Sequence, residues 1–515
     1  MKKITSVLLV IGLLLSVSLA CIHDQLDIQL SELAPEDSPH DDDRLLAGPQ
    51  PMRIMVEYST LTGTTTATRN YIQNKLMPAA VAYIKSALAV TPISTLKLSS
   101  TTKYVCGLSV PSKYRTGVKT DLVILVSAES TNENYIAWAR PCLLSGTNRR
   151  TVFGQIQFNL KHIAPATGTT FESDLLTTIH ELTHVLGMTS SLYSYFPTKP
   201  KVAKLTVNGN SVTYIDLPPL TKRLRAHFGC STLKGAYLEN QGSSGSAGSH
   251  LERRVFGNEF MTASSINDAR ISEFTLAFLE GTGWYTVNYS MAEPFFWGKN
   301  QGCNFVNGPC VDKTTKKAKF DEFCSPLTSK GCTFHGRAGG YCATTKPTTS
   351  STLNSNYNYW GNKTVLTDNF ADNCPYYRAY SNVDCEDPTD KKRAILSAEV
   401  YGTGSRCFMG TLYPTGVLTQ KTAFCLKYNC VKQSNGKYYL NVLFGSKTAV
   451  CKAKGSISVS GYYGKLDCPD PQEYCTTVGK KFCKRGCFGR GSCNTSTGIC
   501  KCNRGFTGDD CSLPA

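Results

Sequence analysis

Residues 173–187 read SDLLTTIHELTHVLG. Leu175, Leu176, Ile179, Leu182, Val185 and Leu186 recur at helical spacing and Gly187 supplies a stop, so the stretch predicts an amphipathic helix. Within it, His180-Glu181-Leu182-Thr183-His184 sets two histidines four residues apart, on one helix face. Both imidazoles can then reach a single metal about 2.0–2.1 Å away. Zinc lowers the pKa of a coordinated water to about 7, and Glu181 stands beside it as the general base. Five-residue patterns also arise by chance. The helical periodicity and the spacing H-E-x-x-H-x-x-G favour the metal here.

A catalytic zinc takes three protein ligands and keeps a fourth position open. The short metzincin spacing would put histidine at position 190, where Ser190 stands. Downstream of the motif only His227, His250 and His335 remain. His250 follows the flexible stretch 242–249 (GSSGSAGS) and precedes Met261, in Asn258-Glu259-Phe260-Met261-Thr262, by 11 residues. His227 lies in Ala226-His227-Phe228-Gly229-Cys230, a neighbourhood suited to a buried structural histidine. His250 is the preferred third ligand and His227 its competitor.

Outward from the motif, 71–90 reads as a helix and 121–126 (DLVILV) as a buried strand. In 151–160 Val152, Ile156, Phe158 and Leu160 share a period-2 face, which reads as a second strand. The chain has 515 residues, enough for two to four domains. With 41% hydrophobic and 18% charged residues it is globular rather than disordered. Collagen, coiled coil and polytopic membrane protein are excluded by the lack of their repeats or long apolar runs after residue 20. Twenty-three cysteines point to an oxidising compartment.

Residues 1–20 read as a secretory signal: Lys2 and Lys3, an apolar stretch 7–15, then Ser18-Leu19-Ala20. The C-terminus carries no hydrophobic tail, so no glycolipid anchor is expected, nor a transmembrane segment in the mature chain. The product is expected to be secreted or extracellular, or peripheral at the cell surface. Asn288, Asn362 and Asn494 are candidate glycosylation sites. Residues 21–44 hold eight carboxylates and one arginine, a net −7, against 52 basic and 30 acidic residues in 45–515, or +22. This leader reads either as an electrostatic partner of the body or as a solvated arm. Cys21 stands alone in it and makes the cysteine count odd. The basic body suits acidic glycans, cell surfaces or the leader itself better than nucleic acid, which a secreted disulfide-rich chain rarely meets.

The stretches HELTHVLGM (180–188), AHFGC (226–230), SHLERR (249–254), NEFMT (258–262) and GWYTVNYSMAE (283–293) resemble the leishmanolysins, a family of zinc metallopeptidases. The resemblance implies an α+β, metzincin-like catalytic domain and a disulfide-rich, loop-rich C-terminal domain. A long insertion precedes the third ligand, His250, and Met261 forms a Met-turn. One zinc per chain, Glu181 as catalytic base and protein or peptide substrates follow from it. Cys21-Ile22-His23-Asp24 matches the family's propeptide segment, so Cys21 is expected to be the zymogen switch, its thiolate closing the fourth zinc position. Unlike kinetoplastid members, this chain has that cysteine directly after the predicted signal cleavage site. Metzincin-like sites add an extended peptide to a sheet edge, and 151–160 is expected to be that strand.

Residues 483–511 space their cysteines C-x3-C-x5-C-x6-C-x-C-x8-C and resemble an EGF-like module. The usual pairing of such modules gives Cys483–Cys493, Cys487–Cys500 and Cys502–Cys511. With Cys21 set aside, the remaining 16 cysteines can all pair: Cys106–Cys142, Cys230 with one of the 13 between 303 and 475, and six further bridges. The expected division is signal 1–20, acidic propeptide 21–48, N-terminal catalytic part 49–190, insertion and C-terminal catalytic part 191–300, cysteine-rich domain 301–480 and EGF-like module 481–515. Two functions compete. One is a secreted zinc endopeptidase made as a zymogen. The other is an adhesion protein on a peptidase scaffold, meeting a cell-surface or matrix partner through the EGF-like module. The intact motif favours the first.

Overall fold

The computed structural model describes residues 23, 26, 28, 30–33, 48–241, 247–264, 266, 268–344, 355–361, 365–390, 396–416 and 420–515. The expected signal, Cys21, the acidic stretch 34–47 and the sequon residue Asn362 lie outside the described residues. Asn288 and Asn494 are exposed.

Five strands build the sheet that positions the site: β1 (Ser31–Glu32), β2 (Ile54–Glu57), β3 (Leu122–Glu129), β4 (Ala137–Leu144) and β5 (Thr151–Asn159). Their spatial order is β1-β4-β5-β3-β2. The apolar run Leu122–Val126 in β3 is buried throughout, and so is nearly all of β5, as for parallel strands covered on both faces. β2, β3 and β5 run parallel, and β4 runs antiparallel to β5.

This order corrects one expectation. Strand 151–159 is not an edge, because it pairs with β4 on one side and β3 on the other. The outer strand is β4, and the two-residue β1 lies parallel on it, Ser31 opposite Leu143 and Glu32 opposite Leu144. A period-2 apolar pattern reports which faces of a strand are buried. It carries no information on whether the strand's N–H and C=O groups are already paired.

Helix α1 (Met77–Ala87) packs against helix α2 (Gly168–Leu186), and α2 lies across β4 and β5. The stretch 71–90 is helical to Ala87 and then turns into the short strand Leu88–Val90. Gly154 in β5 lets α2 come close, since a Cβ there would meet Val185 Cγ1 at 2.4 Å. The buried side chains of α2 include Leu175, Leu176, Ile179, Leu182, Val185 and Leu186. Burying a side chain of this size stabilises by about 1.5–3 kcal/mol.

One apolar core joins residues from Met52 to Cys374 and also takes in Phe488 from the C-terminal module. A second core, from Leu396 to Cys475, packs against a six-stranded sheet over residues 405–468. Bridges close Cys106–Cys142, Cys230–Cys303, Cys310–Cys374, Cys324–Cys342, Cys332–Cys407, Cys385–Cys425, Cys430–Cys475 and Cys451–Cys468. Three more, Cys483–Cys493, Cys487–Cys500 and Cys502–Cys511, staple the module.

Candidate active site

His180 and His184 project from the last two turns of α2, and His250 arrives from the segment after the insertion. All three are buried. His180 Nε2 lies 3.1 Å from His184 Nε2 and 3.3 Å from His250 Nε2. A tetrahedral site with bonds of about 2.0–2.1 Å has ligand-to-ligand edges of about 3.3–3.4 Å, so the three nitrogens are spaced to share a zinc ion.

Backbone carbonyls fix two of the tautomers. His180 Nδ1 donates to the Phe260 carbonyl at 2.7 Å, and His184 Nδ1 donates to the Met188 carbonyl at 2.6 Å. The proton on Nδ1 leaves Nε2 as the lone-pair nitrogen in each ring, the arrangement a metal ligand requires. Burial holds His180 down at about 4 and His184 well below the ordinary imidazole value. Both rings are therefore neutral at pH 7, the ligating form.

Glu181 is buried beside them, its Oε2 accepting from the Ala139 N–H of β4 at 3.1 Å. That bond aims the carboxylate at the space between helix and outer strand. Next to Phe260, whose carbonyl holds His180, Met261 is fully buried. Its N–H donates to Glu259 Oε2 at 2.6 Å, and its carbonyl accepts from the Leu251 N–H at 2.9 Å. The Met261 turn and the strand-like segment carrying His250 are thus tied side by side. Glu259 is the hub of that turn, accepting also from Ser272 Oγ at 3.0 Å and Thr275 Oγ1 at 2.6 Å. A cavity of about 330 Å³ runs past His180 and Glu181, lined also by Ala137, Glu172, Arg337 and Asp384.

A family model described as leishmanolysin matches residues 60–481, and an EGF-like domain model matches residues 483–511. The chain belongs to the leishmanolysin family. A leishmanolysin-like peptidase of Drosophila pseudoobscura pseudoobscura is 27% identical over 458 residues, 71% of this chain and 64% of its own length. One from Caenorhabditis elegans is 26% identical over 569 residues, covering 83% of this chain and 84% of its own. The leishmanolysin of Leishmania major is 24% identical, covering 80% and 69%. The chain thus spans under two thirds of the fly relative that it matches. The family places a metallopeptidase class on a buried group of three histidines.

Among the described residues, His227 and His335 lie apart from that group. His227 Nε2 donates to the Trp297 carbonyl at 2.8 Å, and its ring packs among Phe228, Phe274 and Phe295. His335 is buried beside Asp268 and Phe334. His23 differs. It is buried against the site, its ring stacked on His184 with centroids 4.0 Å apart, its Nδ1 donating to the Ala139 carbonyl at 2.6 Å. The sequence offered no signal for Ala139, whose contribution is entirely backbone. His23 carries one, inside the Cys21-to-Asp24 segment.

Proposed function

We propose that the chain is a secreted zinc endopeptidase made as a zymogen, with His180, His184 and His250 as zinc ligands and Glu181 as general base. The spacing of the three Nε2 atoms, with Glu181 held beside them by Ala139, carries this reading. When bound, a zinc ion supplies Lewis acidity that makes water nucleophilic near neutral pH. Glu181 takes the proton released by the attacking water and passes it to the departing amine, so peptide cleavage balances without another acid. The outer strand β4 offers main-chain groups to an extended substrate, which would add to the sheet as one more strand. The neutral, carbonyl-pinned imidazoles fit a divalent ion of nitrogen preference.

A metzincin-like order of active helix, third histidine and Met261 turn supports the same assignment. The latency reading draws on His23, stacked on His184, and on Ser31–Glu32, paired with the outer strand. Cys21, two residues before His23, is the proposed switch, displaced when the chain is cut near Arg44. Secretion draws on the disulfide bridges, which persist in oxidising compartments. Among the described residues no helix is long and apolar enough to cross a membrane. The deciding experiment is a peptidase assay on purified protein, with and without residues 21–44, with and without a zinc chelator. Hydrolysis that a chelator leaves untouched would remove the reading.

A further inference from the structure

The EGF-like module does not stand off from the catalytic fold. Its turn Arg485-Gly486-Cys487-Phe488 passes through four successive left-handed residues, with φ of 49°, 56°, 54° and 54°. Only Gly486 takes this conformation freely, because an L side chain crowds the neighbouring carbonyl. Such a turn persists where its surroundings over-determine it. Two side chains do so here.

Phe488 is fully buried in the main core, edge-on to Tyr83 of α1 with ring centroids 5.9 Å apart. Its carbonyl accepts from Ser86 Oγ at 3.0 Å. Gly486 is pressed on Met291, whose Sδ a Cβ would meet at 2.8 Å. Arg485, 2% exposed, reaches α2. Its Nη1 and Nη2 donate to Glu172 Oε1 at 3.1 and 3.2 Å, while Nε and Nη2 hold Asp510 Oδ2 of the module at 3.1 and 2.8 Å.

Glu172 joins three parts of the chain. Arg337 of the cysteine-rich region donates to its Oε2 at 2.8 Å, and Lys484 Nζ of the module lies 3.5 Å from Oε1. Arg337 also holds Asp384 at 2.9 Å, and Lys484 lies 3.3 Å from Glu386, which pairs with Arg406. Burial alone would raise the Glu172 carboxyl, but Arg337, Lys484 and Arg485 outweigh it and keep the group ionised. Glu172, Arg337 and Asp384 all line the cleft that His180 and Glu181 line. Glu172 sits eight residues before His180 on the same helix, about 12 Å along its axis.

We propose that the EGF-like module is a fixed brace of the substrate cleft, and that Arg485 is a positioning residue that holds Glu172 and the cleft-lining first half of α2 in place. The module then serves the peptidase itself rather than a tethered partner. The kinetic consequences rest on the peptidase reading; the mechanical ones do not. An uncompensated charge left in so buried a network disturbs its neighbours. A staple with no role in the cleft would lower stability alone. A free adhesive module would change neither stability nor cleavage.

The test uses the full activated chain carrying Arg485→Met, Arg485→Lys, Glu172→Gln, or Arg485→Met with Glu172→Gln. Zinc content, kcat and KM on a peptide long enough to fill the cleft, and amide exchange at residues 172–176 are measured. Arg485→Met should keep its zinc and kcat, raise KM by about tenfold and speed exchange in that segment by about tenfold. Arg485→Lys should recover much of KM, and the double variant should be no worse than Arg485→Met alone. Unchanged KM and unchanged local exchange in folded Arg485→Met, or lost stability at unchanged KM, overturns the brace. If Arg485→Met does not fold, Arg485→Lys and Glu172→Gln decide by the same two readouts. If the wild-type chain cleaves nothing, the peptidase reading falls, and exchange at 172–176 still decides whether Arg485 holds the helix.

Discussion

His23 lies face to face with His184, ring centroids 4.0 Å apart and planes 9° from parallel. Its Nδ1 takes the carbonyl of Ala139, whose N–H is already given to Glu181. In the proposed binding mode a substrate strand adding to β4 beside Glu181 would use that carbonyl, which His23 holds. Ser31 and Glu32 pair with Leu143 and Leu144 in the parallel sense.

Latency should therefore depend on this segment. Cys21→Ser in the full chain should give hydrolysis without processing, and mercurials that consume the thiol should activate the wild type before any cut. His23→Ala should raise basal hydrolysis of the uncut chain several-fold by freeing the Ala139 carbonyl. A Cys21→Ser chain that stays latent, or Cys21 found by mass spectrometry in a disulfide, would reduce residues 21–44 to an acidic arm.

Glu181→Ala should retain one zinc per chain and an unchanged fold while peptide hydrolysis drops by about 10²–10⁴-fold, the usual worth of a positioned general base. Metal analysis and turnover on the same preparation check both halves. Turnover near that of the wild type in the zinc-loaded variant contradicts the mechanism.

His250→Ala should empty the metal site, and His227→Ala should leave it full. His227 is committed to the Trp297 carbonyl and to three phenylalanines, so its loss costs that hydrogen bond and packing but no metal ligand. Zinc stoichiometry of the two variants separates the roles, and the reverse pattern would exchange them.

A bound peptidomimetic inhibitor should make its main-chain hydrogen bonds to Ala137–Leu144. Thr151–Asn159 is paired on both sides and has none to give. A crystal structure of the complex reads this directly, and backbone contacts to another segment would overturn it.

Asp174, buried in α2, has its carboxyl raised to about 6 by burial, which the Tyr71 hydroxyl at 2.7 Å only partly offsets. The folded value exceeds the unfolded one, so the fold gains most below about pH 4 and loses that gain as pH rises through 6. The loss is about 3 kcal/mol. Asp174→Asn should raise the melting temperature at pH 7.5 relative to the wild type and leave it little changed at pH 4. Equal shifts at both values would mean that Asp174 is ionised at neither or at both.

The sequence by itself determined the helix, its pair of histidines and Glu181, because a 3.6-residue period fixes which side chains share a face. It narrowed the third ligand to two candidates, since His250 lies 66 positions beyond His184, a separation that no local period records. The tertiary structure brought His250 to the cluster and set His227 among aromatic rings. It alone decided which strand is outermost, because edge or interior is a property of a strand's neighbours. The same holds for Ala139, whose part is played by an N–H and a C=O that every residue but proline carries. Cysteine parity fixed how many bridges could form, while the partners depended on which Cα atoms folding brings within about 6 Å. The spacing of residues 483–511 announced a small stapled module. That its Arg485 would end on Glu172 of α2, 313 residues away, followed only from burying Phe488 in a core made by the rest of the chain.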